Sequence, residues 1–97
     1  MSRGDWLIYN MKDDLIILPR LSIQFKKEQL YMLQMIVGIP DFGDLTATEV
    51  NVVLDEKHNY QRYPLLKVGS PNMVYKLVKL LSKALSVDIQ RIDFPHL

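Results

Sequence analysis

Three lysines at helical spacing are the residues of this sequence best suited to bind a charged ligand. Lys76, Lys79 and Lys83 recur every three or four residues, so they share one side of any helix that contains them. Their ammonium groups would neutralise nucleic-acid phosphates, and Arg62 adds a guanidinium that stacks on bases. Lysines on the solvent side of an amphipathic helix also serve only to keep it soluble. Weak nucleic-acid binding through these four residues is therefore one function that we consider.

A second arrangement of polar residues lies in the middle of the chain, where Gly38-Ile39-Pro40-Asp41 precedes Glu49-Val50-Asn51. This pattern resembles the Pro-Asp…Glu-x-Lys motif of metal-dependent nucleases. In that family, an Asp and a Glu on neighbouring strands hold Mg²⁺ and a Lys helps to activate water. The resemblance implies Asp41 and Glu49 as the ligands. Asn51 replaces the lysine, however, and an amide can neither stabilise a hydroxide by charge nor relay its proton. The resemblance therefore implies a degenerate nuclease.

Other reactive residue types are scarce. The chain has no cysteine, which excludes thiol catalysis, disulfide scaffolds and cysteine-ligated metals. His58 and His96 have no acidic partner at ligand spacing, so we expect both to be exposed and to have no role in metal binding or proton transfer. A Gly-x-Ser-x-Gly motif is absent and the four glycines are scattered. We therefore expect no catalytic, cofactor-binding or metal-binding residue, and no enzymatic activity.

Composition indicates an ordinary globular protein. The chain has 97 residues, of which 48% are hydrophobic and 24% charged, values that predict a single domain over residues 1–97. A net charge of +1 provides no strong field for a polyanion. The longest apolar stretch, Leu15–Pro19, is far shorter than the roughly 20 residues that cross a bilayer, and the N-terminus lacks the apolar run of a signal peptide. We expect a cytoplasmic protein without membrane association.

The clearest element is a helix that begins after Gly69. Ser70 suits the N-cap and Pro71 the first helical position, where its missing N–H has no cost. A stripe of apolar residues at helical spacing follows, and the three lysines lie opposite it. The stripe consists of Val74, Leu77, Val78, Leu81 and Leu85.

A second helix is predicted over residues 26–37, with Gly38 and Pro40 at its end. Within residues 30–37 only Gln34 is polar, so this helix would be apolar on most sides and would need covering on two faces. We expect the second cover to be another subunit, because flexible methionines suit partner surfaces. The predicted interface consists of Tyr31, Met32 and Met35.

The remaining segments alternate as strands do, giving the order β-β-α-β-β-α-β. Without its first strand this order is the ferredoxin-like βαββαβ arrangement, so we predict an α+β fold with a small antiparallel sheet, two helices on one face and an extra N-terminal strand. An alternative division gives two ββα units, residues 6–37 and 46–86. The predicted strands span residues 6–9, 15–25, 45–54, 60–68 and 88–94.

The sequence thus favours a small non-enzymatic interaction or regulatory module that is homodimeric. From its size alone, and not from its residues, we expect a module of the kind found in phages, plasmids and small operons. Weak nucleic-acid binding and a degenerate nuclease are the two alternatives. Changing Met32 to Glu should dissociate the dimer without unfolding the monomer.

Overall fold

Strands dominate this chain. A computed structural model describes residues 6–40, 43 and 45–94, and in that part of the chain it contains seven strands and one α-helix. The strands are β1 (Ile8–Asn10), β2 (Leu15–Leu18), β3 (Ile23–Lys26), β4 (Leu30–Pro40), β5 (Thr46–Leu54), β6 (Arg62–Val68) and β7 (Asp88–Asp93), and the helix is α1 (Pro71–Leu85). Short 3-10 turns occupy Pro19–Leu21, Lys27–Gln29 and Glu56–His58.

The strands form two sheets. Strands β1, β2 and β3 make a three-stranded antiparallel sheet. The larger sheet has the order β6-β5-β4-β7, in which β4 pairs antiparallel with β5 and parallel with β7. The helix α1 connects β6 to β7, and the parallel pair needs such a crossover.

The predicted ferredoxin-like arrangement with two helices is wrong, although the fold is α+β overall. The segment predicted as the first helix, residues 26–37, contains a 3-10 turn and then most of β4. This strand lies between β5 and β7, so both of its edges are hydrogen-bonded, and its middle residues are buried on both faces. Leu33 and Met35 are buried on one face, Gln34 and Ile36 on the other. A strand of this kind is almost continuously apolar and loses the alternation that marks a half-exposed strand.

The predicted N-terminal strand over residues 15–25 is divided in two. Pro19 begins a 3-10 turn, and Ser22 adopts a left-handed conformation with φ 54° at the end of that turn. The chain reverses there, so the two halves become the antiparallel neighbours β2 and β3. The N-terminal segments form a sheet of their own instead of adding one strand to the larger sheet.

The helix α1 is confirmed. Ser70 occupies the N-cap position in an extended conformation and Pro71 is the first helical residue. The helix ends at Leu85, and Ser86 follows in a left-handed conformation with φ 55°. The strands predicted over residues 45–54 and 60–68 are also present, as β5 and β6, and they pair antiparallel.

One hydrophobic core joins α1 to both sheets. From the larger sheet the core takes side chains of one face only, which we call the inner face. The core residues are Ile16, Leu18, Phe25, Leu30, Leu33, Met35, Val50, Val52, Leu54, Leu65, Val74, Val78 and Leu85. The opposite side of the four-stranded sheet, the outer face, contributes nothing to this cluster.

Candidate functional site

The outer face consists of three rows of side chains that cross all four strands. Strand register defines them, because paired residues point to the same side of a sheet. We name them the arginine row, the amide row and the glutamate row. Written from β6 to β7, they are Arg62–Val53–Met32–Asp88, Pro64–Asn51–Gln34–Gln90 and Lys67–Glu49–Ile36–Ile92. None of these twelve residues belongs to the core cluster, and none of the hydrophobic residues that pack against the cluster is among them.

Hydrogen bonds between side chains link the amide row. The Gln34 Nε2 amide donates to Gln90 Oε1 at 3.0 Å, and Asn51 Nδ2 donates to Gln34 Oε1 at 3.4 Å. Gln34 and Asn51 are only 7% and 5% exposed. Buried amides cost free energy unless they are hydrogen-bonded, and here each amide satisfies its neighbour.

Arg62 lies across the centre of the outer face. Its backbone pairs with Val53 on β5, but its Nη1 atom donates to Gln34 Oε1 on β4 at 3.1 Å. Within the described residues, this is the only hydrogen bond of a guanidinium that carries five N–H donors. Nearby, the Glu49 Oε2 carboxylate oxygen accepts a hydrogen bond from Asn51 Nδ2 at 3.3 Å. The centre of the face therefore holds a cation that keeps hydrogen-bonding capacity for a ligand or partner.

A depression of about 420 Å³ lies beside Arg62. The exposed rings of Tyr31 and Tyr60 lie next to each other, with centroids 5.3 Å apart and planes tilted by 59°. Arg62 is the only charged residue of the lining. Tyr, Met and Arg are the residue types most enriched at protein interfaces. The lining consists of Tyr31, Met32, Gln34, Val53, Tyr60, Arg62 and Gln90.

The loop that carries Tyr60 is held by a histidine. Gln29 Oε1 accepts the backbone N–H of Lys26, so its Nε2 amide points to His58 Nε2 at 3.2 Å. The His58 proton must then reside on Nδ1, which donates to Asp55 Oδ1 at 2.7 Å. This hydrogen bond from His58 lowers the pKa of Asp55. His58 therefore has a structural role, which the sequence-based expectation of an idle histidine missed.

Backbone hydrogen bonds complete the loop. The Tyr60 N–H donates to the Asp55 carbonyl at 3.0 Å, and the Asp55 N–H donates to the Gln29 carbonyl at 2.9 Å. Asn59 and Tyr60 both adopt left-handed conformations, with φ of 55° and 52°. This backbone geometry directs the Tyr60 ring toward Tyr31.

Comparison with known proteins assigns this chain to no family. No family model, no curated protein and no solved structure matches it. Among the described residues, no helix has both the length and the apolar character that crossing a membrane requires. The candidate function therefore rests on the residues of the chain itself.

The structure separates the predicted interface residues. Tyr31 and Met32 line the depression on the outer face, but Met35 is 0% exposed and lies in the core. In a strand, neighbouring side chains point to opposite faces, so Met32 and Met35 cannot share a surface. Tyr31 accompanies Met32 because the register shifts between Leu30 and Met32.

The predicted nucleic-acid residues are likewise divided between two sides of the molecule. Lys76, Lys79 and Lys83 are exposed on α1, and the Lys79 Nζ atom lies 5.5 Å from the centroid of the Tyr75 ring. The helix α1 packs on the inner face, whereas Arg62 lies on the outer face. A ligand on the lysines would not contact Arg62.

The nuclease-like pattern is described only in part. Asp41 lies outside the described residues, as does His96. Glu49 is on the outer face, with Asn51 as its hydrogen-bond partner. Within residues 6–40, 43 and 45–94, no group of three or more His, Asp or Glu residues is arranged to hold a metal ion.

The amide row was not predicted from the sequence. A signal existed, because Gln34 and Asn51 each interrupt an apolar segment. An amide in an apolar strand needs a partner, and the partner of Gln34 is a second amide in a neighbouring strand.

Proposed function

We propose that this chain is a non-enzymatic protein-interaction module that associates with a second copy of itself through the outer face. One observation carries the proposal. Tyr31, Tyr60, Met32 and Arg62 surround a depression on a sheet face whose side chains take no part in the core. Tyrosine and arginine in such a setting are typical of residues that dominate binding energy at interfaces.

The size of the face supports a dimer of modest affinity. The four strands are 6 to 11 residues long and about 4.8 Å apart, so they cover on the order of 500 Å². Specific interfaces bury roughly 600–1,000 Å² on each partner, so the outer face lies just below that range, where weak and transient interfaces occur. We expect an association that depends on protein concentration over the micromolar range.

Light scattering and sedimentation over a wide range of protein concentration test the proposal. The wild-type chain should change from the mass of one chain to that of two. Met32→Glu places a carboxylate in the depression and should prevent association. Met73→Glu is the matched control, because Met73 is 74% exposed on α1, and this variant should associate as the wild type does.

A second variant tests the same depression in case Met32→Glu misfolds. Tyr60→Asn removes a ring of the depression but keeps the left-handed backbone, which Asn tolerates well. This variant should also weaken association. A wild-type chain that is monomeric at every concentration would overturn the proposal. Dissociation by Met73→Glu alone would also overturn it, because the interface would then be on α1.

Nucleic-acid binding by α1 is the second candidate function. The helix carries Lys76, Lys79 and Lys83 but no acidic residue, so all the charges on its outward side are positive, beside the exposed apolar side chains of Met73 and Leu80. Fluorescence anisotropy with labelled single- and double-stranded oligonucleotides tests this candidate. Binding should weaken steeply with salt and disappear in the triple Lys→Glu variant. Arg62→Glu should leave it unchanged, because Arg62 lies on the other side of the sheet.

A further inference from the structure

We infer that two copies of this chain pack outer face to outer face, with the two-fold axis parallel to the strands and between β4 and β5. Arg62 of each copy then meets Asp88 of the partner subunit. The inference rests on the proposed function and specifies how the two copies are arranged. The strand register and the positions of the charges on the outer face support it.

Symmetry restricts how a face can pack on itself. Two equal sheets that meet face to face are related by a two-fold axis that lies in the plane between them. Two sheets pack either orthogonally or with their strands aligned within about 30°, and we infer the aligned arrangement. The axis is therefore close to parallel or close to perpendicular to the strands.

A perpendicular axis brings like charges together. Rotation about this axis places each strand opposite the same strand of the partner subunit. The arginine row of one copy then lies opposite the glutamate row of the other. Arg62 would then face Lys67 of the partner subunit. Asp88 would face the apolar Ile92 and would have no cation opposite it, whereas Arg62 would have Glu49 next to Lys67 in the same row. Charge therefore disfavours this arrangement.

A parallel axis brings opposite charges together. Rotation about this axis places each row opposite the same row of the partner subunit. It also reverses the strand order, so β6 lies opposite β7 and β5 opposite β4. The Arg62 backbone then lies opposite Asp88 of the partner subunit, and the guanidinium forms the pair by turning from Gln34 toward this carboxylate. Symmetry repeats this pair on the other side. Between the two pairs, Met32 lies opposite Val53 and Gln34 opposite Asn51.

The dimensions agree with this arrangement. Packed sheets are about 10 Å apart, a gap that an arginine and an aspartate side chain span together. Amides both donate and accept, so the amide row can pair with its own copy. The glutamate row is less complementary, because Glu49 lies opposite Ile36. The contact is therefore centred on the arginine and amide rows.

Asp88 itself has an unusual position. It follows the C-terminal end of α1 by three residues and is exposed, and the described ion pairs do not include it. An exposed carboxylate outside the described ion pairs can accept a cation from a second copy of the chain, and Arg62 of the partner subunit would be that cation.

Charge reversal tests the arrangement. Arg62→Glu and Asp88→Arg should each raise the dimer dissociation constant by roughly tenfold or more, because each places like charges opposite one another. The double variant exchanges the two charges and should associate nearly as well as the wild type. Lys79→Glu, the same charge reversal on α1, is the matched control and should have no effect. Circular dichroism should show an unchanged fold for every variant.

The outcomes separate this inference from the proposed function. If Met32→Glu and Tyr60→Asn prevent association but the double variant fails to restore it, the outer face is the interface and the inferred axis is wrong. If Arg62→Glu associates as the wild type does, the inferred pair is also wrong. A wild-type chain that never dimerises would overturn both the inference and the proposed function.

Discussion

The two faces of the four-stranded sheet are built from the same strands but are stabilised in different ways. On the inner face, Leu33, Met35, Val50 and Val52 are 0% exposed and pack into the core. On the outer face, the Gln34 side chain connects β4 to its neighbours, because it donates a hydrogen bond to Gln90 on β7 and accepts one each from Asn51 on β5 and Arg62 on β6. Packing stabilises by the area that it buries, whereas hydrogen bonds between side chains also fix the register. The inner face thus supplies most of the stability, and the outer face presents defined polar positions for recognition.

The largest difference between the two faces should be in the loss of stability on substitution of two methionines of β4, Met35 and Met32. Met35→Ala leaves a cavity in the core and should lower the free energy of unfolding by about 2–5 kcal/mol. Met32→Ala removes a half-buried side chain from the outer face and should cost under about 1 kcal/mol. Urea denaturation, at a concentration where both variants are monomeric, measures the two changes. Equal losses would show that both faces are held by packing.

A smaller effect should follow from loss of the central amide. Gln34→Ala removes the hydrogen bonds that join Gln34 to Asn51, Arg62 and Gln90. Asn51 keeps Glu49 as an acceptor and Arg62 is exposed to water, so the total loss should be about 1–3 kcal/mol. Gln24→Ala on β3 is the matched control, because Gln24 is exposed, and its effect should remain within about 0.5 kcal/mol. If Gln34→Ala is as harmless as the control, the hydrogen bonds of the amide row add nothing to stability.

The smallest effect should be a dependence on pH that is confined to the loop of the outer face. The pKa of Asp55 is lower in the folded chain than its ordinary value, because His58 donates a hydrogen bond to it. This carboxylate therefore stabilises the fold at pH values above its unfolded pKa. The contribution is lost as the pH falls through the folded pKa.

Denaturation as a function of pH tests this assignment. Asp55→Asn should be less stable than the wild type near neutral pH, and the difference should shrink in acid. Glu56→Gln, in the same turn, is the control, and its difference in stability from the wild type should not shrink in acid. A difference between wild type and Asp55→Asn that persists in strong acid would contradict the assignment.

The contrast between α1 and β4 shows how much of the fold the sequence predicts. For α1, an N-cap position, a proline at the first turn and a polar side opposite an apolar stripe all agree, and the helix is present. In β4, the spacing of Leu30, Leu33 and Ile36 also fits a helix, but no polar side accompanies it. Gly38 resembled a helix terminator, yet it adopts φ 83° at a register shift within the strand. The missing polar side distinguishes a doubly covered strand from a surface helix.

The candidate site was harder to predict, because strand register creates it. Tyr31 and Met32 were selected for their apolar surroundings, and they do line the outer-face depression. The contact between Gln34 and Gln90 joins residues 56 positions apart. Pairing over such a separation depends on tertiary structure, and composition and periodicity contain no information about it. Arg62 was therefore grouped with lysines that lie on the opposite side of the sheet.

The parallel pairing of β4 with β7 also has a consequence for synthesis of the chain on the ribosome. Strand β4 finds its antiparallel neighbour early, since β5 follows directly, but its parallel neighbour emerges only after β6 and α1. Until then the hydrogen-bonding groups along one side of this apolar strand form an open edge, and such edges pair readily with other chains. Slow translation of the β7 codons, or loss of β7 by proteolysis, would therefore turn the central strand of the fold into a nucleus for aggregation.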